Sequence, residues 1–153
     1  MFQSFSAASR KGFTLVELAV VIVIIGVLAA FGVPRFLVSV ERSKAAEAFS
    51  YLSAIRDSQE RYEAQNGTYA SDVSTLDISF SPPTYFSVGS VSAGTTASLQ
   101  DSWTLTLTRV GASAGYGAYT VTFTQSGYDA TNSTIPAVIN PVGTSGAATT
   151  TTN

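Results

Sequence analysis

With 153 residues the chain is about one domain long, and its formal net charge of −2 provides no general basic field for nucleic acid. It has no cysteine, so disulfides and thiol chemistry are excluded, and no histidine, which removes the commonest general base and the commonest metal ligand. No catalytic, cofactor-binding or metal-binding residues are therefore assigned.

The first element to place is the apolar run inside "SRKGFTLVELAVVIVIIGVLAAFGVP", Ser9 to Pro34. From Leu18 to Val33 there is no polar side chain, and Phe13 to Val33 is 21 residues. As a helix that length spans roughly 32 Å, and the hydrocarbon core of a bilayer is about 30 Å thick. Arg10 and Lys11 precede the run and Arg35 follows it. The N-terminal pair favours a cytoplasmic start with the bulk of the chain outside, and Arg35 weakens that asymmetry. Three readings compete. One is a secretory signal cut near Val27-Leu28-Ala29. Another is a twin-arginine-like signal at "SRKGFTL". The third keeps the apolar helix in the mature protein. Glu17, a carboxylate inside the apolar segment, counts against the first two.

Beyond Pro34 the pattern is that of an amphipathic helix to Gln65. Ala45, Ala48, Phe49, Leu52, Ile55 and Tyr62 form one apolar stripe. Arg42, Lys44, Glu47, Arg56, Asp57, Glu60, Arg61 and Glu63 occupy the other face, where Asp57 and Arg61 are spaced for an i,i+4 pair. Asn66-Gly67 is a stop signal, because both residues tolerate a left-handed C-cap. One long helix from about Thr14 to Gln65 results. Pro34 lacks the N–H that would bond the Ala30 carbonyl, and Gly32 adds a second weak point. The pair predicts a kink or a locally unwound hinge, unless Pro34 simply ends the membrane span.

Thr68 to Pro83 reads as an irregular connector. "WTLTLTR" (Trp103 to Arg109) alternates, with Trp103, Leu105 and Leu107 on one face and threonines on the other. "AYTVTFTQ" (Ala118 to Gln125) repeats this with Tyr119, Val121 and Phe123, so the two form a hairpin buried on one side. "TYFSV" (Thr84 to Val88) is a weaker third strand. A lone hairpin is marginal, so its apolar face must pack on the helix stripe. The tail past Thr131, ending "TSGAATTTTN", is expected to be disordered over its last ten residues or so.

The stretch "KGFTLVEL" resembles the N-terminal signature of type IV pilins and pseudopilins. A hydrophilic leader ends in Gly12, Phe13 follows, Glu17 lies four residues on, and a long apolar helix with Pro34 comes next. "NGTY" (Asn66 to Tyr69) and the small sheet behind it also look like this family. The resemblance implies cleavage by prepilin peptidase between Gly12 and Phe13, and methylation of the new Phe13 amine. It implies residence in the inner membrane, then assembly with an assembly platform and minor pilins into a homo-oligomeric helical filament cored by apolar helices. The family's usual C-terminal disulfide loop cannot form without cysteine, and the twelve-residue leader is longer than in the shortest-leader members.

Each candidate also has a plainer reading. "TLVE" is a capping box in which Thr14 caps the helix and Glu17 reaches back to it. As a charge in the membrane, Glu17 instead needs a partner, and the Phe13 amine of its own or a neighbouring chain is available, which would set the register of assembly. "GASAG" (Gly111 to Gly115) matches the hydrolase nucleophile elbow, but it lies between two strands in a chain without histidine and reads as a flexible hairpin loop. Asp72 and Asp77 read as solvated loop acids rather than a calcium site. Phe13, Phe31, Phe36, Phe49 and Tyr51 read as packing residues rather than an electron path. Beyond Gly67 the only cation is Arg109, against four aspartates, so no nucleic acid is expected at the globular part. Asn66-Gly67-Thr68 and Asn132-Ser133-Thr134 fit the glycosylation acceptor pattern.

Together these readings predict an α+β protein. A long kinked N-terminal α-helix, transmembrane in its first half and amphipathic in its second, packs on a small antiparallel β-sheet. The boundaries are a cleaved leader at 1–12, a transmembrane or filament-core helix at 13–33, an amphipathic helix at 34–66, connector and sheet at 67–140, and a flexible low-complexity tail at 141–153. The implied function is a structural pilus subunit on the cell surface, with Gly12 and Phe13 for processing, Glu17 with Phe13 for assembly, and Gly32 with Pro34 for flexibility. The alternatives are the major pseudopilin of a type II secretion system, which "YEAQNGTY" also fits, and a monomeric binding domain held by an ordinary signal anchor.

Overall fold

The computed structural model describes residues 12–111 and 116–143. The expectations for the leader before Gly12, for "GASAG" after Gly111 and for the tail after Gly143 concern residues outside that description. The chain divides into two compact units, one ending at Phe36 and the other starting at Leu37. One helix, α1 (Leu15–Asn66), contributes to both and continues through Pro34, so the helix does not stop there.

In the first unit α1 is apolar all round from Leu18 to Val33, and every described residue from Gly12 to Phe36 is exposed except the half-buried Ala19. In the second unit the expected stripe is the buried face: Ala45, Ala48, Leu52 and Ile55 have no exposed surface, Phe49 is buried, and Tyr62 is half-buried. Glu41, Tyr51, Ser58 and Gln59 are buried beside it and widen that face beyond the predicted stripe. Gly67 ends the helix. Its φ of +71° is left-handed, and its N–H donates to the Glu63 carbonyl at 2.7 Å.

The connector is irregular apart from a short 3-10 turn at Val73–Thr75, capped by the Asp72 side chain. Gln59 pins it to the helix through a reciprocal amide pair, donating to the Ala70 carbonyl at 3.0 Å and accepting the Ala70 N–H at 2.8 Å. Being wholly buried, Gln59 needs both bonds.

The sheet is antiparallel and comprises β1 (Phe86–Val88), β2 (Ser92–Ala93), β3 (Trp103–Arg109), β4 (Thr120–Thr124) and β5 (Gly127–Tyr128). Its central strands are β3 and β4, paired Leu105 to Phe123 and Leu107 to Val121. Along the other edge of β3, β1 pairs with Leu107–Arg109 and β2 with Trp103–Thr104. Gly89 lies between β1 and β2, where a Cβ would stand 2.7 Å from the Thr106 carbonyl oxygen. The expected β3 is matched residue for residue. The expected β4 is trimmed at both ends, and β1 begins at Phe86 rather than Thr84. The two-residue β2 and β5 are additional.

The inner face of the sheet buries Trp103, Leu105, Leu107, Tyr119, Val121 and Phe123 against α1. Each fully buried Leu or Ile contributes about 1.5–3 kcal/mol. Phe49 of α1 seats edge-on to Phe123 with ring centroids 5.7 Å apart, and Tyr128 completes that cluster at 4.9 Å from Phe49. On the outer face the Thr106 and Thr122 hydroxyls share a 2.9 Å hydrogen bond.

Candidate functional site

The predicted site residues Gly12, Phe13 and Glu17 lie together at the start of α1. Glu17 forms the capping box with Thr14: its Oε2 accepts the Thr14 N–H at 2.9 Å and the Thr14 hydroxyl at 2.8 Å, and the Glu17 N–H donates to Thr14 Oγ1 at 3.2 Å. These bonds satisfy donors that the helix start leaves open. The Phe13 nitrogen is here a peptide nitrogen and carries no charge.

Behind the cap lies a face that no other described residue covers. The most apolar 18-residue window of α1 is long and apolar enough to cross a membrane, and none of it is buried in the fold. Phe13 and Leu15 are each 84% exposed and Phe31 73%. A continuous apolar surface of that extent requires lipid or other apolar helices around it. Gly32 and Pro34 lie near the end of this stretch, and apart from the adjoining helix backbone nothing described lies within 4 Å of where a Gly32 Cβ would be.

In the second unit the structure brings together a charged group that the sequence reading did not assemble. Arg109 donates through Nε to Glu41 Oε1 at 2.6 Å and through Nη2 to Glu41 Oε2 at 3.3 Å. Both residues are at most 3% exposed. The Tyr119 hydroxyl donates to Glu41 Oε1 at 3.2 Å, and Lys44 Nζ lies 3.4 Å from Oε2. Burial pushes the Glu41 carboxyl upward, but Arg109, then Tyr119 and Lys44, outweigh it and hold the group below its ordinary value. Burial also raises the Tyr119 phenol, reinforced by Glu41. A sequence signal for this pair existed. Arg109 continues the inward period of Trp103, Leu105 and Leu107, and Glu41 lies four residues before Ala45 on the buried stripe.

Arg61 is corrected from its expected partner. Its guanidinium forms a fork with Asp77, Nε to Oδ2 at 2.9 Å and Nη2 to Oδ1 at 2.8 Å, rather than an ion pair with Asp57. The fork is bidentate, which adds geometric specificity to the charge pairing. Ser58 also donates to Asp77. Arg61 first, then Ser58, hold the Asp77 carboxyl down at about 2. Asp72 binds the Ser74 N–H, so the two acids face different partners, and among the described residues no three acidic side chains converge. Phe49 and Tyr51 are core residues, while Phe13, Phe31 and Phe36 are exposed.

The family model described as the prokaryotic N-terminal methylation motif matches residues 8–33. The type IV narrow pilus major component of Thermus thermophilus is 38% identical over 95 residues, covering 62% of this chain and 76% of that protein. The type IV major pilin of Myxococcus xanthus is 40% identical over 73 residues, covering 48% of this chain and 32% of that one. Core protein G of the type II secretion system of Aeromonas hydrophila is 35% identical over 75 residues, covering 49% and 52% respectively. With several of these curated relatives the match spans only a third to about half of their length. No solved structure matches the chain. The methylation motif, the similarity to the Thermus protein and the long apolar helix joined to a small antiparallel sheet agree, and the chain belongs to the family of type IV pilins and type II secretion pseudopilins.

Proposed function

We propose that the chain is a structural subunit of a type IV pilus. The observation that carries this reading is the uncovered apolar half of α1, headed by the Gly12-Phe13 junction and Glu17. Prepilin peptidase cuts between Gly12 and Phe13 and the Phe13 amine is methylated. The precursor waits in the inner membrane with the apolar helix in lipid. Assembly exchanges lipid for neighbouring helices, so the driving term is close helix packing rather than escape from water. Glu17 meets a Phe13 ammonium, and because an unpaired charge in hydrocarbon is costly, one axial register is favoured over the others. Gly32 and Pro34 let the helix adapt between its membrane and filament settings. The assembly platform, minor pilins and other copies of the chain are its partners, and the surface pilus is its destination.

Intact-mass measurement on sheared surface fibres tests this. A mature chain beginning at methylated Phe13 is expected. An uncut chain, or a cut near Ala29, would replace the proposal with a signal-anchored monomeric domain.

A second reading, the major pseudopilin of a type II secretion system, is supported by the similarity to core protein G and by "YEAQNGTY" at the end of α1. Deleting the gene separates the two readings: loss of surface fibres with secretion intact supports the pilus, and blocked secretion supports the pseudopilin.

A further inference from the structure

Glu41 is the first buried residue along α1. Every described residue from Gly12 to Val40 is exposed or half-buried. Glu41 lies seven residues past Pro34 and just inside the unit that begins at Leu37. A leucine there would fill the same face, and apolar replacements for buried ion pairs are often neutral or stabilising. What the charged pair supplies is direction. Nη1 of Arg109 donates to the Tyr85 carbonyl at 3.2 Å and also to the Val110 carbonyl. Its guanidinium carbon lies 5.5 Å from the Tyr85 ring centre and 5.9 Å from that of Phe86. With Tyr119 and Lys44 on the Glu41 carboxylate, one knot joins α1, the entry to β1, the end of β3 and the entry to β4.

We propose that this knot is a clamp that fixes where α1 stops yielding: loss of helix that begins at Pro34 runs to Val40 and is arrested at Glu41. Pro34 leaves the Ala30 carbonyl without its helical donor. From there to Val40 only the half-buried Val38 and Val40 hold the helix, so opening costs little. At Glu41, opening must part a fork of fixed geometry and strand a guanidinium in the core. Apolar contacts are non-directional and would let the helix slip, whereas a bidentate pair does not. The clamp is a property of the single chain. Its use in bearing load along a fibre rests on the filament reading above.

Amide hydrogen exchange on the full chain in detergent micelles tests the clamp without any filament. The amides of Glu41 to Lys44 donate to the carbonyls of Leu37 to Val40, so they open together with that segment. Past Pro34 the first slow amide is therefore expected at Ala45, which donates to the Glu41 carbonyl. In Glu41→Gln and in Arg109→Lys the step should move to Phe49 or beyond, with Ala45 exchanging about tenfold faster or more. A wild-type step before Glu41 or after Ala48 overturns the clamp. So does a step that stays at Ala45 in a variant whose Trp103 emission is native. If a variant does not fold, the wild-type profile and the other variant still decide. Normal fibres alongside a failed clamp would sink this proposal alone.

Discussion

Glu17 has two roles that one pair of substitutions separates. In the single chain its carboxylate is held by Thr14, and losing such a cap costs about 1 kcal/mol, or roughly fivefold in the local helix equilibrium. Thr14→Val removes both bonds made by the hydroxyl and leaves the Thr14 backbone N–H on Glu17 Oε2. Glu17→Gln does the opposite: glutamine offers an oxygen to the same donors but carries no charge. If Glu17 pairs with a Phe13 ammonium in the fibre, removing it strands a cation among apolar helices. That costs about 2.5–3.5 kcal/mol mid-membrane and less near an end, or at most a few hundredfold in the assembly equilibrium. Fibre yield is measured by shearing cells and blotting, with intact mass as the control for cleavage. Thr14→Val should lower the yield a few-fold and Glu17→Gln by about a hundredfold, provided both variants are cut at Gly12. The reverse order, with Glu17→Gln assembling normally and Thr14→Val impaired, would refute the pairing and leave Glu17 as a cap.

Two further predictions concern the folded head. Glu41 and Asp77 have folded values below their ordinary 4.5 and 3.8. A depressed carboxyl contributes stability that is complete above its unfolded value and lost as pH falls through the folded one. The urea midpoint, followed by Trp103 emission in detergent, should hold from pH 7 to about 5 and fall from about 4.5 towards 2. A midpoint that persists to pH 2 would contradict the ion-pair assignments. Gly67→Ala should cost roughly 1–2 kcal/mol, read as a lower melting temperature, because φ is +71° there and the space for a methyl is open, leaving conformational strain as the whole effect. Gly67→Asn should lose less, and equal losses would point to something other than the left-handed cap.

Much of the fold was legible because its two periodicities are clean. Threonine alternates with Trp103, Leu105 and Leu107 in β3, and the same pattern in β4 pairs the strands without ambiguity of face. The helix ends followed from Thr14 with Glu17 and from Asn66 with Gly67. The strands β2 and β5 were not legible, since two residues carry no period and owe their pairing to the β3 and β4 edges. Arg61 was assigned to Asp57 because spacing within one helix is visible in sequence. The partner it takes lies sixteen residues away, brought within reach when the connector folds back along α1.

The missed Glu41–Arg109 pair shows a limit of reading by residue class. Counting charges took Arg109 only as the one cation after Gly67, set against four aspartates. Counting by face places it inward, since position 109 continues 103, 105 and 107. A face that is otherwise apolar and holds one guanidinium demands an anion opposite, because the charge cannot be buried alone. The anion must come from the element that covers the face, and on α1 the helical period puts Glu41 and Glu63 in line with Ala45, Ala48 and Leu52, of which only Glu41 is buried. Periodicity in two elements therefore names Arg109 and narrows its partner to these two. The same argument applied to the first half of α1 gives a different result: there Glu17 sits among apolar residues that no described element covers, and among the described residues its carboxylate meets only Thr14.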